Sequence, residues 1–355
     1  MFDFIESGAE DEIALRHNRE ALDAVAIVPR VLRDVSEVEI STEILGVPSS
    51  VPFALAPTGL TRLVHRDAEL AVARAAAAAG IPYVASMMSS VPLEEIAAVA
   101  AGPKIFQLYM LRDREVCAGL LEQARASGYT ALILTVDSQI SGLRERDLRN
   151  GLTIPPTIRP RVLFDALRRP RWSWDFARGE QVTFANFAGA TERLSLVEYV
   201  ARELDTALDW GSVSWLRELW PGTFALKGIL NAADARIAVE HGLDAIIVSN
   251  HGGRQLGTAV APIEVLPEIV AAVDGAAEVL MDSGIRRGAD VVKALALGAS
   301  GCLVGRPYLL GLAAAGEAGV ARAIAILAEE TRRTMTLVGA SRVAALEAGI
   351  VRTAQ

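Results

Sequence analysis

Eight short, continuous apolar runs recur along the chain, and helical stretches separate them. The runs are PFALAP (52–57), PYVASM (82–87), IFQLY (105–109), ALILTVD (131–137), FALKGI (224–229), AIIVSN (245–250), EVLMDSG (278–284) and GCLVGR (301–306). Short unbroken apolar runs suit parallel strands packed under helices better than strands with one wet face. The stretches between them, such as HRDAELAVARAAAAAG and ADVVKALALGA, are rich in Ala, Leu, Glu and Arg. Eight strand–helix units in one chain predict an α/β fold, a closed (β/α)8 TIM barrel, with a doubly wound open sheet as the alternative. At 355 residues the length suggests two domains, but barrels of this class exceed that size as one, so residues 1–355 are read as a single domain.

The alternation is interrupted once, from about 138 to 215, as a long insertion after strand 4. Between 159 and 178 this insertion is basic and aromatic: Arg159, Arg161, Arg168, Arg169, Arg171 and Arg178 face only Asp165 and Asp175. Long barrel loops usually carry function, so the insertion is expected to be a lid or a membrane-facing segment. The net charge of −8 argues against nucleic acid as a partner, which calls for a basic face. Cys117 and Cys302 lie in apolar stretches without metal-type spacing and read as small core residues of a reduced, cytoplasmic protein. The opening MFDFIESGAEDE does not read as a secretory signal. The most apolar window, AELAVARAAAAAGIPYVASMM, contains Glu69 and Arg74 and reads as an amphipathic helix rather than a membrane span.

A barrel places its active-site groups at the carboxyl ends of the strands. Those ends read Thr58, Ser86, Gln107 with Tyr109, Thr135 with Asp137, Lys227, Asn250 with His251, Asp282, and Gly305 with Arg306. Any one of them can be a cap or a turn, but a polar group at every end points to a site. SNHGGRQL (249–256) sets a His, two glycines and an Arg directly after a strand, where a base and a cation can face one substrate. DSGIRRG (282–288) and VGRP (304–307) combine glycines and arginines at incipient helix N-termini, which favour an anion, so a phosphorylated cofactor or substrate is expected there. Lys227 lies near the rest of that molecule or forms an ion pair with a neighbouring carboxylate.

These stretches, with SGAEDE (7–12), PRVLRDVS (29–36), APTG (56–59), FQLY (106–109), TVD (135–137), GLRERD (142–147) and LKGI (226–229), appear in one order across essentially the whole chain. In that set the chain resembles the FMN-dependent L-2-hydroxy-acid oxidase and dehydrogenase family, which includes glycolate oxidase, lactate oxidase and mandelate dehydrogenase. The resemblance implies FMN as cofactor and oxidation of a 2-hydroxy acid to the 2-oxo acid. It implies that His251 is the base, that Asp137 bonds its imidazole, that Arg254 and Arg144 clamp the substrate carboxylate, and that Tyr109 bonds to substrate. Lys227 then lies beside the flavin, with Ser86, Gln107, Thr135 and Ser249 on the ring or ribityl chain and the backbone of Ala56, Pro57 and Thr58 alongside. Asp282 binds the ribityl hydroxyls, and Gly284, Arg286, Gly305 and Arg306 surround the phosphate. A homo-oligomer, a tetramer, is also implied. The residue types suit the chemistry on their own terms. A neutral His takes a proton, a nearby carboxylate makes it a better base, and the planar arginine fork pairs with a carboxylate.

The pattern departs from the family at Phe4, where relatives carry a Tyr whose hydroxyl helps to hold the carboxylate, and at Ser283, where they carry Gly. Met88 stands where relatives line the substrate pocket. Phe4 and Met88 together suggest a bulky or apolar 2-hydroxy acid, lactate-like or mandelate-like. Gly59 stands where many oxidases carry Ala, and the insert RPRWSWDF (169–176) resembles that of membrane-associated lactate dehydrogenases. Arginines and tryptophans on one segment suit an anionic interface. A quinone-type acceptor and peripheral contact with the inner face of the membrane are therefore expected. The alternatives are an oxygen-using oxidase that forms hydrogen peroxide, and an FMN oxidoreductase acting on a biosynthetic intermediate without a carboxylate. Nothing in the sequence suggests a metal site.

Overall fold

The computed structural model describes residues 2–150, 167–168, 170–180, 182–187 and 202–353. Eight parallel strands form a ring: β1 (Phe53–Leu55), β2 (Val84–Ser86), β3 (Lys104–Tyr109), β4 (Tyr129–Thr135), β5 (Thr223–Ile229), β6 (Ala245–Val248), β7 (Glu278–Met281) and β8 (Gly301–Val304). Successive strands from β2 to β8 pair, β8 pairs with β1, and a parallel bridge between Leu55 and Tyr83 closes the circle. The fold is the (β/α)8 barrel, and closure removes the open-sheet alternative. Each strand lies within a residue or two of its apolar run and stops short where the polar end residues leave the ladder.

The outer ring is α1 (Ala68–Ala79), α2 (Leu93–Ala98), α3 (Arg114–Ala126), α4 (Trp210–Leu219), α5 (Ala232–Glu240), α6 (Pro262–Val273), α7 (Gly288–Ala296) and α8 (Arg306–Val338). Local chemistry starts and stops them. Asp113, Asp209 and Asn231 accept backbone N–H groups at the starts of α3, α4 and α5, which satisfies donors a helix start leaves open. Gly80, at φ +66°, ends α1. By length and composition α8 could cross a bilayer, but it is non-helical at Ala315 and Gly316 and packs on α1 and α7 as part of the outer ring. Cys117 and Cys302 are buried and free.

Side-chain alternation decides what fills the barrel. Ala54, Val84, Ile105, Ala131, Ile133, Ala225, Ala245, Ile247, Leu280 and Leu303 form one buried cluster inside the ring. Ile44, Leu45 and Val47 of the hairpin Thr42–Ile44/Val47–Ser49 complete that cluster, and the Leu45 N–H donates to Glu278 at the start of β7. The neighbouring strand residues, such as Phe53, Phe106, Leu132, Phe224 and Ile246, belong to the other cluster, under the helices. Burying one such Ile contributes about 1.5–3 kcal/mol, and Ile247→Ala would cost about 2–5 kcal/mol through the cavity it leaves. Successive strand residues face opposite sides, so two steps beyond an inner apolar residue the chain faces the interior again. Two steps past Val84, Ile105, Ile133, Ala225, Ile247, Leu280 and Leu303 stand Ser86, Gln107, Thr135, Lys227, Ser249, Asp282 and Gly305. The pleat that packs the bottom of the barrel thus delivers a polar ring at its top.

Of the basic insertion, Arg159, Arg161, Asp165 and Arg169 lie outside the described residues. The helix Pro170–Arg178 stacks Trp172 on Phe176 with ring centroids 5.1 Å apart, and the Arg178 guanidinium lies 4.2 Å from the centroid of exposed Trp174. Asp175 accepts the Arg66 N–H at 3.0 Å and pairs with its guanidinium at 3.3 Å, which ties this helix to the segment after β1.

Candidate active site

The turn after β6 explains the glycines in SNHGGRQL. His251, Gly252 and Gly253 are all left-handed, at φ 60°, 66° and 73°. A Cβ at Gly253 would lie 2.5 Å from Leu15 N, so that position has no room for a side chain. One at Gly252 would lie 2.7 Å from an Arg306 guanidinium nitrogen and would displace that side chain; the positive φ disfavours a side chain at both. His251 takes the same conformation with a side chain, at a cost of about 1–2 kcal/mol. The strain turns the imidazole toward the groups beyond β3 and β4. Its Nδ1 lies 2.9 Å from Asp137 Oδ1, and its Nε2 lies 3.4 Å from the Tyr109 hydroxyl. Ser138 Oγ donates to the same Asp137 oxygen at 2.9 Å. Burial alone would raise the Asp137 carboxyl, but the His251 charge and hydrogen bond, with Lys227 beyond, hold it down at about 2. Burial, and then the Asp137 charge, push the Tyr109 hydroxyl above its usual range, so it keeps its proton.

Arg254 follows on the same turn. Its Nη1 donates to the carbonyls of Phe4 (3.0 Å) and Ser7 (2.8 Å), and its guanidinium carbon lies 5.5 Å from the Phe4 ring centroid. The SGAEDE segment is the other half of this joint, since Ala9 N donates to Gly253 O at 2.8 Å. Among the described residues no carboxylate pairs with Arg254. Burial, then the charges of Arg144 and Arg306, lower its guanidinium to about 9, still cationic at neutral pH. Arg144 caps the short helix Glu145–Arg149 and spends its Nε on Asp147 at 3.2 Å. A half-buried cation with no carboxylate partner among the described residues, beside a second arginine, is suited to an anion.

A polar row crosses the adjoining strands. Ser86 Oγ donates to Gln107 Oε1 at 2.8 Å, and Gln107 Nε2 donates to Thr135 Oγ1 at 3.0 Å. Lys227, 4% exposed, donates to Ser249 Oγ at 2.8 Å and pairs with Asp282 at 3.2 Å. The ion pair considered from the sequence therefore forms, and Lys227 also lines the cavity. Thr58 Oγ1 lies 2.5 Å from the Tyr308 hydroxyl, which donates to Ala56 O at 2.9 Å.

The far end of the cavity is cationic. Arg286 lines it, and burial lowers its guanidinium, with Glu6 at 3.8 Å acting the other way. Arg306 gives Nε to Ile5 O, Nη1 to Gly252 O and Nη2 to Ser7 O, leaving one N–H on each terminal nitrogen. The backbone N–H groups of Gly284, Ile285 and Gly305 have no acceptor among the described residues, and α8 begins at Arg306.

All of these groups surround one cavity of about 280 Å3, near the size of small-molecule sites. Phe4, Ala56, Pro57, Thr58, Ser86, Met88, Tyr109, Thr135, Arg144, Lys227, His251, Arg254, Asp282, Gly284, Arg286, Gly305 and Arg306 line it. Asp137, Gln107 and Ser249 do not, but each bonds to a residue that does. Sequence reasoning missed Ser138, Gln255, Phe184 and Leu204, which also line it. Ser138 adjoins Asp137 and accepts a bond from Gln255 Nε2, and both neighbours were in the quoted motifs. Phe184 and Leu204 had no signal, because a long insertion gives no register. Asn186 seats the Phe184 segment by donating to Met87 O and Ser89 Oγ while accepting from Leu93 N.

A family model described as FMN-dependent dehydrogenase matches residues 1–353. The chain is 45% identical over 345 residues to an L-lactate oxidase from a Nostoc species, covering 96% of this chain and 90% of the relative. It is 42% identical over 348 residues to the (S)-mandelate dehydrogenase of Pseudomonas putida, covering 98% and 88%. The crystal structure of a monotopic membrane protein, (S)-mandelate dehydrogenase, superposes with a TM-score of 0.94 at 41% identity, covering 99% of this chain and 94% of the other. FMN joins a polar ring system to a hydroxylated chain and a phosphate. The Ser86–Gln107–Thr135 row, the Lys227–Asp282 pair, and the open N–H groups beside Arg286 fit those three parts. With residues 1–353 matched and a cavity suited to that cofactor, the chain belongs to the FMN-dependent dehydrogenase family.

Proposed function

We propose that this protein oxidises an L-2-hydroxy acid to the 2-oxo acid. The observation that carries the reading is one cavity holding a carboxylate-backed His251 beside Arg144 and an Arg254 that has no carboxylate partner among the described residues. FMN, when bound, would supply the oxidising power, taking up the two electrons and one of the two protons that the substrate loses. Arg254 offers Nε–H and Nη2 as a fork for the substrate carboxylate, and Arg144 offers its two terminal nitrogens. Tyr109 donates its hydroxyl proton to a substrate oxygen. His251 takes a substrate proton at Nε2, and Asp137 at Nδ1 stabilises the resulting cation. Lys227, Ser86, Gln107, Thr135 and Ser249 hold the flavin ring and ribityl chain beside the backbone of Ala56, Pro57 and Thr58. Asp282 takes ribityl hydroxyls, and Gly284, Arg286, Gly305 and Arg306 take the phosphate. Purified protein should be yellow and should release FMN on denaturation; colourless protein that cannot be reconstituted with FMN would sink this part of the reading. Anaerobic bleaching with a panel of 2-hydroxy acids tests the reaction, and a flavin that no acid bleaches refutes it.

The preferred substrate is bulky or apolar, lactate-like or mandelate-like. Phe4, Met88, Phe184 and Leu204 supply an apolar wall, and no tyrosine hydroxyl stands at position 4. The acceptor is a quinone-type compound. Gly59 supports this: many oxidases of the resembled family carry Ala there, and here a Cβ would lie 2.8 Å from Met88 Cβ and 3.0 Å from Met88 O, so that methyl would need a local shift. Fast reoxidation by air with stoichiometric hydrogen peroxide would move the protein to the oxidase side. The protein acts in the cytoplasm as a homo-oligomer, a tetramer, with peripheral contact at the inner face of the membrane. Exposed Trp174 under Arg178, and the likeness to a monotopic membrane dehydrogenase, support that contact.

A further inference from the structure

Position 283 combines strain with a saturated hydroxyl. Ser283 is left-handed at φ 71°, where glycine is the ordinary choice. Its Oγ accepts from Gly252 N at 2.9 Å and from Asn250 N at 3.3 Å, and donates to Asp282 Oδ1 at 2.8 Å. A serine hydroxyl has one proton and two lone pairs, and all three are used here. The proton direction is also forced. Two of the three partners are N–H donors, so only Asp282 can receive it. Neither amide has another acceptor among the described residues.

The two amides flank His251, whose own N–H donates to Ser249 Oγ at 3.0 Å. Ser249 in turn takes a hydrogen bond from Lys227, and Lys227 pairs with the other Asp282 oxygen. A closed circuit results, running from the His251 turn through Ser283, Asp282, Lys227 and Ser249 back to the turn. On the opposite side Asn18 exchanges amide hydrogen bonds with Asn250 at 2.9 and 2.6 Å. Asn18 thus anchors the start of the turn from outside the barrel, while Ser283 grips both amides beside the base from within.

We propose that Ser283 is a positioning residue for His251, its hydroxyl holding the strained turn in register with the Asp282–Lys227 pair. The proposal rests on the reading of His251 as the base, and it adds a reason for the serine. Without the hydroxyl the imidazole keeps its Asp137 partner, and the His251 N–H keeps Ser249, but the two flanking amides lose their restraint. The expected loss is in turnover rather than in substrate binding, because Arg254 and Arg144 are held by other contacts.

The test uses the holoenzyme carrying Ser283→Gly, which relieves the strain and removes the hydroxyl, with Ser283→Ala as a second variant. Four quantities are read: thermal midpoint, amide hydrogen exchange of the 249–257 segment, and the kcat and the KM of anaerobic flavin reduction. Ser283→Gly is expected to fold and to bind FMN as the parent does. Exchange in 249–257 should rise about tenfold, the effect of losing two neutral hydrogen bonds, with kcat down by a similar factor and KM within about threefold. Unchanged exchange, or faster exchange with unchanged kcat, overturns the proposal. A KM rise with constant kcat overturns it too, because that outcome marks a binding role. If the parent oxidises no 2-hydroxy acid, the functional reading fails, while the exchange measurement still decides whether Ser283 holds the turn.

Discussion

Neutralising the substrate carboxylate is the sharpest test of the cavity. Arg254 has five N–H donors, and the two on Nη1 are spent on the carbonyls of Phe4 and Ser7. Its Nε and Nη2 remain, on the side of the fork that makes paired bonds to a carboxylate. Hydrogen bonds to charged groups contribute about 1.5–3 kcal/mol each, against about 0.5–1.5 kcal/mol for neutral ones. The amide of a good substrate keeps one carbonyl oxygen as acceptor but no charge, so even if that oxygen takes both N–H groups it loses the difference over two bonds, about 2–3 kcal/mol. At 1.36 kcal/mol per factor of ten, kcat/KM for the amide should fall about 30- to 150-fold. Arg254→Lys keeps a cation but loses the fork and strands two carbonyls, so acid turnover should fall and the acid-to-amide ratio should shrink. The assay is stopped-flow flavin reduction without oxygen, with FMN content checked in each variant. An amide used as well as the acid, or a ratio unmoved by Arg254→Lys, would refute the clamp and favour a substrate without a carboxylate.

His251→Ala should abolish flavin reduction by substrate while FMN stays bound; reduction at a comparable rate places the base elsewhere. Asp137 sits at about 2 in the fold against 3.8 for the free group, a difference of about 2 kcal/mol of stability. A depressed acid stabilises above its unfolded pKa and loses that stabilisation as pH falls through its folded pKa. In urea unfolding the advantage of the parent over Asp137→Asn should therefore hold at pH 5 and vanish between about pH 4 and pH 2, and a gap that widens on acidification contradicts the assignment. Phe4→Tyr returns a hydroxyl beside Arg254 and should raise kcat/KM for small polar acids about two- to tenfold, the effect of one neutral hydrogen bond. An unchanged preference for bulky acids would mean that Phe184 and Leu204 set it instead.

The barrel was legible because each strand is buried on both faces. Runs such as AIIV and GCLV have no polar interruption, and eight of them between helices admit few architectures. The same double burial hid which residues face inward. An unbroken apolar run gives no sign that Ile247 fills the barrel while Ile246 packs under the helices, and only closure of the ring settles it. The polar strand ends could be named from the sequence, but not the alternation that carries Ile133 to Thr135 and Leu280 to Asp282.

Within the site, legibility followed chain locality. His251 and Arg254 share one turn, and Asp137 and Arg144 lie in short motifs, so the sequence could propose each group. The contacts that orient them are long-range. Phe4 and Ser7 hold Arg254 from nearly 250 positions away, and Arg306 spends three N–H groups on Ile5, Ser7 and Gly252. Arg306 therefore serves as a brace between the amino-terminal segment and the His251 turn as well as a neighbour of the cationic end of the cavity. Ser283 shows the limit most clearly. As a letter in DSGIRRG it is a mild exchange for glycine. In space its hydroxyl is the shared acceptor for two amides of a turn 31 to 33 residues earlier, and only the three-dimensional arrangement gives that exchange a consequence.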